Sequence, residues 1–247
     1  MYKNGKQYDK FILNGKTYEK FYLNNKQYGG GYVPFATPIL DLDFQNNFID
    51  KSPSALNMVQ GKGLPTFGLS GRKTGEYCAI FNGAQSIKTN INLPLNSDKV
   101  CIKFWMKTTQ TGSAIVTEMS PNLNSNNAFY ITINESANKI WLADRASNYN
   151  IGISVASVNA GSWIHVICII DRSFGVNQNK IYINGVLSFV QNTTYYSNNN
   201  GNFVNNILFL GQRAGNAIGY VGSLMKYQAF RAVPTDAQAM EMYQNDL

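Results

Sequence analysis

The chain has 247 residues, only 14% of them are charged, and its formal net charge is +7. Residues 1–33 hold six lysines against two acidic residues, so they carry +4 of that total and the rest is only mildly basic. The sequence has no arginine cluster and no recognisable nucleic-acid-binding motif, which argues against binding of nucleic acid. No apolar run reaches the length of a membrane span. Asparagine, roughly one residue in eight, favours turns and polar loops between short strands.

The first 28 residues repeat a ten-residue pattern in which Asn-Gly or Asn-Asn is followed by Lys and, two positions later, by Tyr. Asn-Gly between alternating residues is a strong hairpin signal, because both turn positions need φ > 0. Turns at residues 14–15 and 24–25 predict a three-stranded meander. Its aromatic pairs would be Phe11 with Tyr18, Tyr8 with Phe21, and Phe21 with Tyr28.

This meander would carry aromatic side chains on both faces, and so small a sheet has too little core to be stable alone in water. We therefore expect it to pack against something else. Two interpretations stay open: the arm docks on the domain that follows it, or it attaches or oligomerises the protein. The glycines at 29–31 predict a flexible hinge, which divides the chain into an arm, residues 1–33, and a domain, residues 34–247.

Beyond residue 37 the sequence changes to short β-rich runs separated by turns, such as CAIFN, VCIKFWMKT, AFYITIN, WIHVICIID and SLMKYQAF. This spacing is typical of an antiparallel sandwich or jelly roll. Thr235 and Gln238 form a capping box ahead of a single short helix near the C-terminus. The predicted fold is all-β: an antiparallel β-sandwich preceded by the small β-meander arm and followed by that helix.

Three cysteines and one histidine lie inside apolar runs. Cys78, Cys101 and Cys168 have no CxxC spacing, which predicts buried free thiols. His165, the only histidine, lies between apolar strand residues, and we expect it to be structural rather than a catalytic base. The N-terminus shows no apolar signal-like segment, so synthesis in a reducing cytoplasm is expected.

Several of these runs together resemble a known family. Residues 161–187, GSWIHVICIID and then NKIYINGVL, are similar to the central strand and hairpin of the concanavalin A-like, laminin-G-like jelly rolls. Asn184-Gly185 would be the turn of that hairpin. The family's other strands resemble, in order, residues 40–61, 77–89, 99–109 and 208–246. The resemblance thus covers about residues 39–246 and implies a concanavalin A-like jelly roll.

The resemblance also raises the question of calcium, because laminin-G-like modules often hold Ca²⁺ between an early loop and a late Asp. The residues that match the early loop are Asp43, Asn47 and Asp50. Met225 stands where the family has the late Asp, and a thioether is a poor ligand for a hard cation. The sequence therefore gives only weak support to a calcium site, and no other cofactor is expected.

Some members of the superfamily are glycoside hydrolases, which need two positioned carboxylates. The sandwich-type glucanases supply them from one strand in an E-x-D-x-x-E pattern, which this sequence lacks. No Gly-x-Ser-x-Gly elbow or Cys-His constellation supports nucleophilic catalysis either. We therefore predict that the protein is not an enzyme.

Sugar recognition needs an aromatic platform and polar groups that pair with hydroxyls. Two polar, aromatic stretches and a nearby arginine loop offer these groups. The candidate ligand-binding residues are Trp141, Asp144, Arg145, Asn148, Tyr149, Tyr195, Tyr196, Arg213 and Asn216.

N-termini with NGK repeats joined to laminin-G-like domains resemble bacteriophage and prophage structural proteins. The first hypothesis is a virion appendage, a head or tail fibre component made in the host cytoplasm, whose jelly roll binds host surface glycans. The arm would attach it to other virion proteins or build a homo-oligomer, with a trimer favoured. Two alternatives stay open: an architectural virion subunit that binds no sugar, and a bacterial surface adhesion module.

Overall fold

The computed structural model describes residues 35–120, 128–133, 138–145, 149–158, 160–173, 179–190, 201–213 and 218–247, together with the backbone of short strands between residues 2 and 27. At residue 145 and residues 149–151 it describes the backbone alone. The elements, in chain order, are β1 (Tyr2–Lys3), β2 (Lys6–Gln7), β3 (Phe11–Leu13), β4 (Lys16–Tyr18), β5 (Tyr22–Leu23), β6 (Lys26–Gln27), β7 (Leu40–Leu42), β8 (Met58–Gln60), β9 (Thr66–Gly68), β10 (Cys78–Asn82), β11 (Ile87–Thr89), β12 (Lys99–Lys107), β13 (Ala114–Met119), β14 (Ala128–Ile133), β15 (Lys139–Arg145), β16 (Tyr149–Ser157), β17 (Ile164–Asp171), β18 (Asn179–Ile183), β19 (Val186–Val190), β20 (Leu208–Leu210), β21 (Val221–Phe230) and α1 (Asp236–Asp246).

Two antiparallel sheets form the domain after the arm, as predicted. In the eight-stranded sheet, seven strands follow the order β19-β18-β17-β12-β21-β10-β9. The eighth strand, β7, lies on the same side of β21 as β10, and it pairs with the C-terminal half of β21 whereas β10 pairs with the N-terminal half. The seven-stranded sheet has the order β16-β15-β14-β13-β20-β11-β8. Strands that are distant in sequence are neighbours in both sheets, which is the connectivity of a jelly roll and confirms the predicted fold class.

The core lies between the sheets and follows the two-residue period of the strands. In β12, Val100, Ile102 and Phe104 point into this core, while Cys101 and Trp105 point to the outer face of the eight-stranded sheet. The pattern explains why β12 is apolar on both sides: its outer face is covered as well. Cys78, Cys101 and Cys168 are buried and free, which confirms that prediction.

Helix α1 covers that outer face. Thr235 accepts a hydrogen bond from the backbone of Gln238, and the Gln238 side chain accepts one from the backbone of Thr235, so the predicted capping box is confirmed. Ala239 and Met242 are buried against the sheet, in a cluster that includes Ile167. No helix within the described residues has the length and apolar character needed to span a bilayer.

The last turn of α1 is held by side chains from the sheet beneath it and by Arg72 of the loop between β9 and β10. Lys226 donates to the carbonyl of Asp246 over 3.3 Å, and Arg72 donates to the same carbonyl. The side-chain Oδ2 of Asp246 lies 2.7 Å from Nζ of Lys103 and 3.3 Å from Nε2 of His165. Because a helix C-terminus carries partial negative charge, these cations stabilise it.

His165 is fully buried beneath this turn, with the rings of Trp105 and Tyr243 at 5.0 and 5.6 Å. Burial lowers the pKa of His165 below its ordinary value, and the nearby cations Lys103 and Arg72 act in the same direction. Asp246 acts in the opposite direction without outweighing them. The position agrees with the structural role predicted for this histidine.

The hairpin between β18 and β19 turns at Asn184-Gly185, as the sequence predicts. Both residues have positive φ, 52° and 77°, which suits Asn and Gly at the centre of a tight turn. Gly152, in β16, is required for a different reason. A Cβ at that position would lie 2.7 Å from the ring of Phe189, so glycine lets the edges of the two sheets meet there.

The arm forms hairpins at its repeated Asn-containing turns. Phe11 lies opposite Tyr18 in the ladder between β3 and β4, which confirms the register predicted for the turn at 14–15. Tyr22 lies opposite Gln27 across the turn at 24–25, in the predicted register. A third hairpin, β1 with β2, surrounds Asn4-Gly5 and was not predicted.

The described arm strands form three two-stranded ladders, one at each turn. The residues that would join these ladders into the predicted meander, 8–10 and 19–21, lie outside the described residues. The predicted pairs that involve Tyr8, Phe21 and Tyr28 lie outside the described residues. The backbone of β4 lies close to that of α1, which places the middle hairpin beside the domain's helix.

Candidate functional site

A small cleft opens on the outer face of the seven-stranded sheet and contains two of the predicted ligand-binding residues. Trp141, from β15, and Arg213, from the segment after β20, line it together with Tyr130 and Thr132 of β14. Its volume is about 120 Å³. That is less than the roughly 300–1,000 Å³ of a drug-sized site, so the cleft suits a shallow contact with one end of a ligand.

The register of β14 and β15 explains why the cleft forms. Thr132 lies opposite Trp141, and Tyr130 lies opposite Ala143. Because residues two apart on a strand share a face, the Trp141 and Tyr130 rings flank the small Ala143, which leaves space between them. Ala143, Tyr130 and Ile115 form a separate apolar cluster that is the floor of this region.

Arg213 is the cationic side chain of the cleft, and a buried carboxylate positions it. Its Nε lies 3.4 Å from Oε1 of Glu118, and the exposed fractions of the two side chains are 19% and 1%. Glu118 lies opposite Tyr130 in the ladder between β13 and β14. The guanidinium carbon of Arg213 lies 5.5 Å from the centroid of the Tyr130 ring, within the range of a cation–π interaction. Glu118 and the ring together fix the guanidinium at the edge of the cleft.

The indole N–H of Trp141 is buried and has no hydrogen-bond partner among the described residues. A buried N–H does not meet a ligand in the cleft, so what Trp141 presents there is its aromatic surface. Thr132 is already engaged, because its Oγ1 donates to the carbonyl of Ala114 over 2.8 Å. The cleft therefore offers an aromatic surface beside a held guanidinium, which is a combination that suits the apolar ring face and the hydroxyls of a sugar.

The other predicted ligand-binding residues do not join this cleft in the described structure. Asp144 points inward and is completely buried in a bidentate pair with Arg172, so its carboxylate cannot reach a surface ligand. Arg145 and Tyr149 lie opposite each other in the ladder between β15 and β16, where the backbone alone is described. The remaining candidates, Asn148, Tyr195, Tyr196 and Asn216, lie outside the described residues.

Tyr130, which lines the cleft, and Glu118, which holds Arg213, were not predicted as parts of the site. Tyr130 stands in AFYITI, where the alternation of the strand could have indicated an outward aromatic side chain. Glu118 stands in AIVTEMS without another charged residue beside it, so the sequence gives no sign of its partner. Its pairing with Arg213 depends on β20 lying beside β13, which no local pattern predicts.

The early-loop residues considered for calcium have structural partners. Both carboxylate oxygens of Asp50 accept hydrogen bonds: Oδ1 from the backbone N–H of Asp41, and Oδ2 from that of Leu56. Asp43 forms an ion pair with Lys51. Oδ1 of Asn47 accepts from the backbone N–H of Ile49 two residues later.

Met225, in the place of the family's late Asp, is fully buried in β21. Among the described residues, no group of three or more His, Cys, Asp and Glu side chains is arranged to hold a metal ion. The oxygens of this loop therefore do not form a set that fits Ca²⁺.

Comparison with known families agrees with this architecture. A laminin-G family profile, described as the concanavalin A-like lectin/glucanases superfamily, matches residues 81–239. The chain belongs to that superfamily. A search of curated proteins finds no significant match to the sequence.

Solved structures with the same jelly roll include proteins that bind carbohydrate. Domain 4 of AbnA, an extracellular arabinanase from Geobacillus stearothermophilus, in complex with arabinotriose, is similar with a TM-score of 0.67 and 17% identity. The alignment covers 85% of this chain and 99% of that one.

A structure of botulinum neurotoxin type C, whose cell entry depends on two ganglioside molecules, is similar with a TM-score of 0.63 and 12% identity. The receptor-binding domain of the botulinum neurotoxin C/D mosaic serotype has a TM-score of 0.64 and 15% identity. Each alignment covers 85% of this chain and 51% of the toxin chain, so the jelly roll spans about half of those proteins. At these identities the similarity shows the fold alone.

Proposed function

We propose that this superfamily member is a non-enzymatic glycan-binding protein and that the cleft at Trp141 is its sugar-binding site. The observation that carries the proposal is the Trp141 side chain lining the cleft beside the guanidinium of Arg213, which Glu118 holds in place. The complex of the arabinanase domain with arabinotriose and the ganglioside dependence of a toxin with the same fold support a carbohydrate ligand. Glu118, the carboxylate at the cleft, is paired with Arg213, whereas glycoside hydrolysis needs two carboxylates that flank the scissile bond.

Trp141→Ala is expected to lower the affinity for a bound glycan at least about tenfold, because aromatic residues at the centre of a site commonly contribute 2 kcal/mol or more. The measurement is a glycan array with the wild type, followed by calorimetric titration of the best glycan into wild type and variant. Trp163→Ala is the matched control. Trp163 is half-buried and packs against Trp105 and Met225 on the eight-stranded sheet. Its indole N–H donates to the carbonyl of Ser70. The Trp163→Ala variant should bind the glycan with the affinity of the wild type.

Two results would count against this site. If the folded wild type binds no glycan on the array, the architectural alternative, a virion subunit that binds no sugar, becomes the better description. If a glycan binds and Trp141→Ala and Trp163→Ala retain the same affinity, the protein is a lectin whose site lies elsewhere on the jelly roll.

We further propose that the protein is a bacteriophage virion appendage, and that the arm attaches it to other virion proteins or assembles it as a homo-oligomer, with a trimer favoured. The repeated Asn-Gly-Lys hairpins followed by a laminin-G-like jelly roll support this assignment. A shallow cleft binds weakly alone, and oligomerisation would multiply its effective affinity for a surface that carries many copies of one glycan. A bacterial surface adhesion module remains the alternative.

Deletion of residues 1–33 is expected to reduce the mass of the particle in solution, in the simplest case from a trimer to a monomer. Aromatic residues on small paired strands supply apolar surface that the arm cannot bury by itself. Multi-angle light scattering of both proteins measures the effect, with circular dichroism as a check that the jelly roll remains folded. Equal masses would rule out a role of the arm in homo-oligomerisation and leave attachment to another virion protein.

A further inference from the structure

A second cavity, on the opposite side of the sandwich from the cleft, lies between α1 and the eight-stranded sheet. Its volume is about 280 Å³, more than twice that of the cleft. Its polar wall contains Asp41, Lys103, Gln228, Asn245 and Asp246, and its apolar wall contains Phe35, Phe230 and Met242. Among the residues whose side chains the structure describes, none that was predicted from the sequence to bind a ligand lines it.

Three strands build the polar wall as a single row. Asp41 of β7 lies opposite Gln228 of β21, and Gln228 lies opposite Lys103 of β12. Neighbouring strands are about 4.8 Å apart, so two strand spacings separate Asp41 from Lys103. Lys103 is paired with Asp246 at 2.7 Å instead.

The cavity therefore has an unbalanced charge. Asp41 and Asp246 supply two carboxylates, and Lys103 supplies one ammonium. Among the described residues, Asp41 has no cationic side chain within ion-pair distance, although it is partly buried. Burial raises the pKa of Asp41, and the opposing effects of Gln228 and Lys103 are smaller, so the pKa stays above its ordinary value. A raised pKa is expected for a partly buried carboxylate without a close counter-ion.

The rest of the cavity wall suits an alkyl chain that ends in a cation. The rings of Phe35 and Phe230 are 4.8 Å apart and form an aromatic wall, which can contact both methylene groups and an ammonium. The side-chain nitrogen of Asn245 is buried without a hydrogen-bond partner, so the cavity also holds an unused polar group. An isolated ammonium on a short alkyl chain would neutralise Asp41 and fill the space.

We propose that this cavity binds an alkylammonium group. The chemistry is shared by a free primary amine and by a lysine side chain, and the protein carries a nearby source of the latter. The arm has six lysines, it ends immediately before Phe35, and its middle hairpin lies beside α1, whose last turn forms one wall.

The test is a calorimetric titration of the full-length protein with n-butylammonium, with n-butanol as a neutral probe of the same length. It is repeated on a full-length variant in which glutamine replaces the arm lysines, namely Lys3, Lys6, Lys10, Lys16, Lys20 and Lys26. A free amine as ligand predicts equal binding by both proteins. A lysine of the arm as occupant predicts binding that appears only when these lysines are removed.

Asp41→Asn, in whichever protein binds, is expected to lower the affinity at least about tenfold, because it removes the counter-ion of a partly buried ammonium. Asp98→Asn makes the same charge change outside the cavity and should leave binding unchanged. If Asp41→Asn does not fold, Gln228→Lys places an ammonium in the row itself and should abolish binding. The proposal is overturned if neither protein binds butylammonium, if butanol binds equally well, or if Asp41→Asn or a folded Gln228→Lys binds like its parent.

Discussion

Asp144→Asn is expected to lower the free energy of unfolding by about 3–5 kcal/mol, because removal of one partner from a buried ion pair leaves the other charge uncompensated. Asp144 and Arg172 are both completely buried, and Nε of Arg172 donates to Oδ2 of Asp144 over 3.2 Å. The guanidinium carbon of Arg172 also lies 3.5 Å from the centroid of the Phe203 ring. Nη1 of Arg172 already has no hydrogen-bond partner in the described structure, so the variant would increase an existing deficit. Urea denaturation followed by tryptophan fluorescence measures the change.

Two further variants separate the cost of an unpaired charge from the value of the pair. Asp236→Asn removes a carboxylate whose side chain is 64% exposed and pairs with Lys180, and it should cost less than about 1 kcal/mol. The double variant Asp144→Leu with Arg172→Met should recover much of the stability lost in Asp144→Asn, since replacement of a buried pair by apolar side chains is often neutral. A loss below about 1 kcal/mol for Asp144→Asn itself would contradict a closed, water-free pair.

The position of Asp144 also shows what the sequence could and could not predict. Trp141 and Asp144 were grouped as ligand-binding residues because both stand in one polar, aromatic stretch. They are three positions apart on β15, and an odd separation on a strand places side chains on opposite faces. The alternation therefore predicts that only one of the two can face a ligand, once that stretch is recognised as a strand.

Local signals were the most reliable guide. The register of the hairpin at residues 14–15, the turn at Asn184-Gly185 and the capping box at Thr235 were all predicted, because each depends on a few adjacent residues. Strand β16 was missed, since its first residues, Tyr149 and Asn150, belong to the polar, aromatic stretch that was examined only for ligand-binding residues. Such errors arise where turn residues and strand residues overlap.

The assembly of both sites depends on contacts between distant parts of the chain. Arg213 lines the same cleft as Trp141 because β20 is inserted beside β13. The row of Asp41, Gln228 and Lys103 exists because β21 pairs with β12 on one side and with β7 on the other. Neither arrangement can be predicted from local periodicity. The family resemblance predicts it indirectly, because a jelly roll has a fixed order of strands in each sheet.

Acidification from pH 7 to pH 5 is expected to destabilise the protein through His165. Burial holds the pKa of His165 in the folded state below its ordinary value, which is about 6.5 in an unfolded chain. Below about pH 6.5 the unfolded state therefore binds one more proton than the folded state, and the free energy of unfolding falls by up to about 1.4 kcal/mol per pH unit. The loss begins near pH 6.5 and ends at the folded pKa. It is absent at higher pH, where the imidazole is neutral in both states.

The groups around His165 determine the size of this effect. Asp246 of α1 favours the protonated imidazole, while Lys103 of β12 and Arg72 of the loop between β9 and β10 oppose it. The rings of Trp105 and Tyr243 pack around the imidazole and exclude water. Asp246 adds a separate loss in stronger acid. Burial alone would raise its pKa, but His165 and Lys103 hold it well below its usual range, so its contribution is present above about pH 4 and disappears below.

His165→Gln isolates the first effect, because His165 is the only histidine and no other imidazole titrates in this window. Guanidinium denaturation of both proteins at half-unit pH intervals should give a sloping stability for the wild type and a nearly flat one for the variant. Asp41, whose pKa is raised in the folded state, would favour folding as the pH falls, and it does so equally in both proteins, so the difference between the two curves reports His165 alone. If stability depends on pH in the same way in both proteins, protonation of His165 does not cost folding free energy. The last turn of α1 would then adjust to the charged imidazole instead of holding it neutral.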